Sequence, residues 1–222
     1  MSSEYDARHA DTGARSLARL AAALGVAALV VGVAFVALWV AVATDGPFST
    51  LDAVTTMTGG KPAPWPFVPL WTYGGSLGLA VSFVEPTVVV RRNLVTSLDG
   101  SADGWWWLGL LAPATLAGAG LLSARRSSWA RSARGGLAAG AAVALGYVPL
   151  FALFVLVARV GVGDVPPNAE GYVRLGTTGF PPETLDGESV GLRIWRSILA
   201  SFVAAVGFGG VGGVVASALW NR

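Results

Sequence analysis

Ser76 is the side chain whose surroundings best match a catalytic motif, because residues 74–78 have the pattern G-x-S-x-G. In α/β-hydrolases this pattern forms a tight turn that exposes a nucleophilic serine. Such a serine needs a histidine base within hydrogen-bond reach, and the one histidine, His9, lies in the polar N-terminal stretch. We therefore predict no serine hydrolase, and we expect Gly74 and Gly75 to form a bend or a helix contact.

A group of charged residues follows this apolar segment and supplies a second candidate site. Glu85 precedes Arg91 and Arg92, so a carboxylate–guanidinium pair could form there. Charges that flank an apolar run also occur simply as membrane-surface residues, and the sequence leaves both interpretations open. The candidate functional residues are therefore Glu85, Arg91, Arg92, Gly74, Gly75 and Ser76.

The last apolar run contains a glycine pattern with two interpretations. Residues 207–212 match G-x-G-x-x-G, which binds a dinucleotide only between a strand and a helix. Here the pattern lies inside a long uncharged run, so we predict no nucleotide site. Gly209 and Gly213 instead give a small-residue helix face, and Gly136 and Gly140 give a similar face on an earlier run. Such faces allow close helix approach in membranes, and we predict that these two helices pack there.

The composition argues against several kinds of chemistry. The chain has no cysteine, which excludes disulfides, thiolate metal sites and cysteine nucleophiles. The apolar runs contain no internal Asp, Glu, Lys or Arg, although such residues mark ion and proton routes in transporters. The net charge of +2 is too small for a nucleic-acid surface. We therefore expect no cofactor, no metal and no nucleic-acid partner.

The elements that carry these residues are predicted to lie in a lipid bilayer. Apolar residues make up 54% of the chain and charged residues 13%, whereas soluble domains carry about 25% charged residues. Four runs approach the ~20 residues that cross ~30 Å of hydrocarbon, at about residues 20–44, 105–123, 135–159 and 197–220. The predicted fold class is all-α, a polytopic transmembrane helical bundle forming one membrane domain over 17–222.

The first 16 residues mix acidic, basic and small polar side chains, and we predict a disordered tail over 1–16. The arginines before the first apolar run also resemble the start of a signal peptide. That run exceeds the roughly 7–15 apolar residues of a signal peptide, so we favour a retained first span.

Residues 66–85 form an apolar segment that is harder to assign. Glycines and prolines interrupt it, whereas Trp71 and Tyr73 suit the headgroup region of a bilayer. We interpret this segment as a re-entrant or interfacial helix, and a fifth span is the alternative.

Basic residues indicate which ends of the spans face the cytoplasm. Four arginines lie within residues 125–134, between the second and third spans, and three lie within residues 8–19. Basic residues in short loops favour the cytoplasmic side, and four spans place both groups there. We therefore predict a multi-pass protein of the cell membrane with cytoplasmic N- and C-termini and the acidic segment 160–192 outside. Within that segment, residues 172–175 could form one strand of a small hairpin.

Three stretches together support a family-level comparison. They are residues 140–150 (GAAVALGYVPL), the tryptophan-rich segment 65–84 followed by Asn93 and Leu94, and residues 209–213 (GGVGG). In these stretches the chain resembles a family of uncharacterised haloarchaeal integral membrane proteins that are loosely labelled transporters. The resemblance implies membrane residence. That family is expected to carry a Phe-Tyr-Asn-Ala-His type motif in the tryptophan-rich segment, and this chain has no histidine there.

Two classes of function fit these observations. The first is a non-enzymatic membrane or accessory component whose partners are the lipid bilayer and either another membrane protein or a second copy of the chain. The second is a small permease or transporter subunit for a neutral or weakly charged solute. A hydrated cavity beside residues 74–78 favours the permease, and tight packing there favours the accessory component. We expect no enzyme.

Overall fold

The computed structural model describes residues 2–43, 64, 67–83, 91–98, 105–161, 173–175, 178–180 and 188–220. The structural statements below concern these residues. The chain separates into two compact units. Unit 1 comprises Met1–Val31, Ala112–Phe151 and Ile198–Arg222, and unit 2 comprises Gly32–Leu111 and Ala152–Ser197.

The described part of the chain is mainly helical. Its α-helices are α1 (Ser2–Ala43), α2 (Phe67–Ser76), α3 (Leu94–Leu98), α4 (Leu111–Arg125), α5 (Ala133–Ala141), α6 (Ala144–Val157) and α7 (Ile194–Trp220), and 3-10 helices cover Trp105–Leu110 and Ser128–Arg131.

Four helical stretches of the described chain are long and apolar enough to cross a membrane. They are Arg15–Val42, Trp106–Arg125, Ala133–Val157 and Ile194–Trp220. Large apolar side chains are exposed on each of them, for example Leu38, Leu122, Leu153 and Val203. In water such a surface would be costly, whereas in a bilayer it is the ordinary lipid-facing surface. The predicted polytopic bundle of four spans is confirmed.

The first helix begins at Ser2 and so differs from the disordered tail predicted over 1–16. Extending an existing helix adds one hydrogen bond per residue without a new nucleation cost. The polar residues therefore continue the helix that the apolar run forms.

The third span consists of two helices, α5 and α6. Around the break, amide donors bond to carbonyls three residues back, with Val143 N to Gly140 O at 3.2 Å and Leu145 N to Ala142 O at 3.0 Å. Pro149 lies within α6, where it removes an amide donor and crowds the carbonyl four residues earlier. The tightened turn lies just ahead of this proline, and we attribute the break to it.

The contact between α5 and α7 in unit 1 brings together the four glycines of the predicted small-residue faces. A methyl group added at Gly209 would lie 2.7 Å from the Gly140 carbonyl oxygen. Gly136 and Gly213 approach each other in the same way one turn along. The two backbones are therefore in direct contact, at a separation that a side chain larger than hydrogen would prevent.

Helix α2 in unit 2 is too short to be a span. Its 10 residues extend about 15 Å at 1.5 Å per residue, half of the ~30 Å hydrocarbon core. This length favours the predicted re-entrant or interfacial helix over a fifth span, but the helix ends at Ser76 rather than near residue 85. A turn and a short strand follow it.

A small sheet completes unit 2. The strands of the described chain are β1 (Val81–Phe83), β2 (Arg91–Arg92), β3 (Val160–Gly161), β4 (Val173–Leu175), β5 (Thr178–Phe180) and β6 (Ser189–Leu192). Four of them form an antiparallel sheet in the order β2-β1-β6-β3. Strands β4 and β5 form a separate hairpin, which confirms the strand predicted at residues 172–175.

Candidate functional site

The residues of the G-x-S-x-G pattern form the C-terminal cap of α2. The Leu79 amide donates to the Gly74 carbonyl over 3.1 Å, and the Gly78 amide donates to the Gly75 carbonyl over 3.0 Å. This pair of bonds is a Schellman motif, in which the first residue after the C-cap, here Gly78, takes a left-handed conformation. Gly78 has a φ of +75°, which glycine adopts without the steric penalty of a Cβ atom.

Ser76 is not displayed as a nucleophile. Its hydroxyl donates to the Tyr73 carbonyl at 2.6 Å within the last turn of α2. A nucleophile elbow leads from a strand into a helix, whereas here α2 comes first and β1 follows. Ser76 therefore lies in a helix cap and not in a nucleophile elbow.

Gly74 and Gly75 are buried and closely packed. A methyl group added at Gly74 would lie 2.6 Å from Leu192 Cδ1, and one added at Gly75 would lie 2.7 Å from Asn93 Oδ1. Asn93 Nδ2 donates to the Gly75 carbonyl at 3.1 Å, while Asn93 Oδ1 accepts from the Val95 amide at 2.9 Å. One side chain thus satisfies the end of α2 and the start of α3 together.

Two aromatic residues fix α2 within unit 2. Trp71 Nε1 donates to the Ala158 carbonyl at 3.0 Å. Tyr73 packs edge-on against Gly32 so closely that a Cβ atom there would clash with its ring. Both aromatic side chains are fully buried, so their large apolar surfaces pack inside the protein. Their position at the headgroup region stays a prediction.

The two faces of the β2-β1-β6-β3 sheet differ in polarity. Val81 is paired with Leu192, and both side chains are buried. The next residue along β1, Ser82, is paired with Arg91 on one side and Gly191 on the other. Because side chains alternate along a strand, Ser82 and Arg91 share the face opposite Val81 and Leu192.

A cavity of about 70 Å³ lies on this polar face. It adjoins the cap of α2, and three of its lining side chains are arginines from two distant parts of the chain. The lining residues are Gly78, Leu79, Ala80, Ser82, Arg91, Arg193 and Arg196. We call it the arginine cavity.

Two polar atoms at the arginine cavity lack partners among the described residues. They are Ser82 Oγ and Arg193 Nε, both buried. Ser82 itself is 1% exposed. Glu188 is the one carboxylate whose side chain the structure describes, and it has an interaction of its own. An unpaired buried hydroxyl beside three guanidinium groups is chemically suited to an anion.

Of the predicted pair between Glu85 and Arg91 or Arg92, only the Arg91 side chain lies within the described residues. Arg91 lines the arginine cavity, whereas Glu85 and the side chain of Arg92 lie outside the described residues. Sequence reasoning did not select Arg193 and Arg196, which precede the last apolar run. Only the antiparallel pairing of β1 with β2 and β6 brings them to Arg91, and no local pattern signals it.

A second basic cavity, of about 250 Å³, lies in unit 1. Its lining comes from the arginine-rich connection between α4 and α5 and from the end of α7, namely Arg125, Arg126, Ser127, Ala130, Arg131 and Trp220. Its arginines are exposed, and the described residues place no unpartnered buried polar atom there. The arginine cavity of unit 2 is therefore the stronger candidate site. No three described His, Cys, Asp or Glu residues are grouped for a metal ion.

Comparison with known proteins identifies a family. The description "Family of unknown function (DUF7978)" matches residues 1–219, nearly the whole chain. The chain belongs to DUF7978. No curated protein and no solved structure matches it. DUF7978 is a family of unknown function, and the haloarchaeal source and the transporter label stay predictions.

Proposed function

We propose that this DUF7978 member is a non-enzymatic membrane component that acts by binding and does not conduct a solute. The observation that carries the proposal is the close packing of Gly74 and Gly75 against Leu192 and Asn93. If the protein conducted a solute, we would expect the solute pathway beside α2, because glycines and prolines interrupt this apolar segment. Irregular backbone at membrane depth occurs either along a cavity or buried in protein, and here the glycines are buried.

The absence of intramembrane charge supports the same conclusion. The four span-length helices have no acidic or basic residue within their central apolar parts. Ion- and proton-coupled transport uses such residues as binding sites and relays. A binding role needs none.

A small permease for a neutral or weakly charged solute is the second candidate, and the observation favouring it is the arginine cavity beside Gly78. With a volume of about 70 Å³ it is far smaller than the roughly 300–1,000 Å³ of ordinary small-molecule pockets. Its guanidinium groups also suit an anion better than a neutral solute. The accessory role is therefore preferred.

We further propose that both termini lie on the cytoplasmic side. Four arginines lie within residues 125–134, between the second and third spans, and three lie within residues 8–19. Basic residues near span ends are retained on the cytoplasmic side. The density of arginines at these two places supports this orientation.

The test is solute flux into liposomes that contain the purified full-length protein. Stopped-flow osmotic swelling with glycerol, urea and a small sugar would be compared with protein-free liposomes and with Gly75→Leu protein. We expect the same rates in all three, because α2 leaves no open path. Faster swelling that requires the protein and disappears in Gly75→Leu would overturn the accessory role and establish the permease.

A further inference from the structure

The geometry points to a binding site for a phosphate group in the arginine cavity, formed by Ser82, Arg91, Arg193 and Arg196. The shared chemistry is a tetrahedral phosphate oxyanion, either on the headgroup of an anionic phospholipid or as free phosphate. The inference is independent of whether the protein conducts a solute.

Residues paired across strands β2, β1 and β6 form one side of the site. Ser82 lies directly opposite Arg91 across the β1–β2 pair, and opposed residues on antiparallel strands have Cβ atoms about 5 Å apart. On the other side of Ser82 the partner is Gly191, which has no side chain to fill the space. Ser82 and Arg91 are therefore neighbours on one face of the sheet, and both residues line the cavity.

The N-terminus of α7 forms the other side of the site. Its first intrahelical bond runs from the Ser197 amide to the Arg193 carbonyl at 2.9 Å, so the preceding amides have no acceptor within the helix. Arg193 immediately precedes α7 and Arg196 lies on its first turn, where the helix dipole adds partial positive charge. A helix N-terminus flanked by arginines is a favourable environment for an oxyanion.

The unpartnered atoms indicate that something polar belongs in the cavity. Ser82 Oγ and Arg193 Nε are both buried without a described hydrogen-bond partner, although buried polar groups are almost always paired. A phosphate oxygen accepts from a hydroxyl and from a guanidinium at once. The volume of about 70 Å³ exceeds the ~10–15 Å³ needed by one water and has room for a phosphate group.

The position favours a lipid headgroup as the source. The cavity lies where the span Ile194–Trp220 begins, and this is the depth at which lipid phosphates lie. Trp195 lies between Arg193 and Arg196 in the sequence, and its side chain is 79% exposed. An exposed tryptophan at a span end is typical of the membrane interface, so the site opens beside lipid.

The experiment uses full-length protein that has been delipidated in a non-ionic detergent. Native mass spectrometry with added phosphatidylglycerol, and separate titration with inorganic phosphate, would measure binding to wild type, Arg91→Gln, Arg193→Gln and Ser82→Ala. Arg131→Gln is the matched control, because it removes one arginine charge at the exposed basic cavity of unit 1. Arg91 is itself exposed, so Arg91→Gln tests the site with little risk to folding.

We expect wild type and Arg131→Gln to bind one phosphatidylglycerol equally well. Arg91→Gln and Arg193→Gln should bind it roughly tenfold more weakly, since each loses a charge-assisted hydrogen bond. Ser82→Ala should weaken it less, because a neutral donor is lost. Lipid binding that millimolar phosphate does not displace identifies the headgroup as the source, whereas displacement by phosphate, with the same dependence on Arg91, identifies free phosphate.

Two results would overturn the site. If neither ligand binds wild type better than Arg91→Gln, the arginines are neutralised within the chain and no external anion is bound. If Arg131→Gln loses as much affinity as Arg91→Gln, binding depends on overall charge rather than on this cavity.

Discussion

Gly209→Ala tests the close contact between α5 and α7. The added methyl group would lie 2.7 Å from the Gly140 carbonyl oxygen, which is backbone and cannot rotate away. Overpacking of this kind costs roughly 1–3 kcal/mol, and the better helix propensity of alanine offsets at most about 1 kcal/mol. We expect a net loss of about 1–2 kcal/mol, which corresponds to a Tm lower by roughly 2–8 °C in a protein of this size.

The assay is thermal unfolding in detergent, followed by tryptophan fluorescence and by the fraction that stays monodisperse after heating. Gly207→Ala is the matched control, because it lies in the same helix and a methyl group there meets nothing within 4 Å. Its Tm should stay the same or rise slightly. Equal Tm changes in the two variants would refute the argument, since only backbone contact distinguishes the two positions.

Two further predictions concern the support of α2. Asn93→Ala should lower stability by about 1 kcal/mol through loss of a helix N-cap and should speed hydrogen exchange at the Val95 amide, whereas Asn93→Asp should keep that amide protected. Equal exchange in the two variants would contradict the capping of α3 by Asn93. Trp71→Phe leaves the buried Ala158 carbonyl without its hydrogen-bond donor and should lower the free energy of unfolding by about 1–3 kcal/mol in the same thermal assay. Trp106→Phe changes an exposed side chain and should lower it little. Similar losses of stability in the two variants would contradict the structural role of the Trp71–Ala158 hydrogen bond.

The spans could be predicted because their signal is local. Each is a continuous apolar run, and length and hydropathy alone decide whether a helix reaches across hydrocarbon. The contact between the helices that carry Gly140 and Gly209 could also be predicted, since small residues four apart on one helix face allow close approach.

The sheet and the arginine cavity could not be predicted in the same way. Strand β6 pairs with β1 across more than 100 residues of sequence, and both strands are too short for an alternating pattern to be recognised. Arg91 and Arg193 meet only because of that pairing. The sequence likewise gives the amphipathic character of Trp71 but not its hydrogen-bond partner, which is the distant Ala158 carbonyl.

Site-directed cysteine labelling tests the topology, which is the central claim, most directly. The chain has no native cysteine, so an introduced thiol reports on one position. Pro64, Thr96 and Ala133 are exposed; the first two flank α2 and β1, and Ala133 adjoins the arginine-rich connection. Moving arginines of that connection outward against the membrane potential would cost about 2.3 kcal/mol per charge per 100 mV.

In intact cells, a membrane-impermeant maleimide should label Pro64→Cys and Thr96→Cys and should spare Ala133→Cys until the cells are lysed. Labelling of Ala133→Cys alone would reverse the orientation. Labelling of Pro64→Cys and Thr96→Cys on opposite sides of the membrane would show that the segment containing α2 crosses, which would contradict the four-span account.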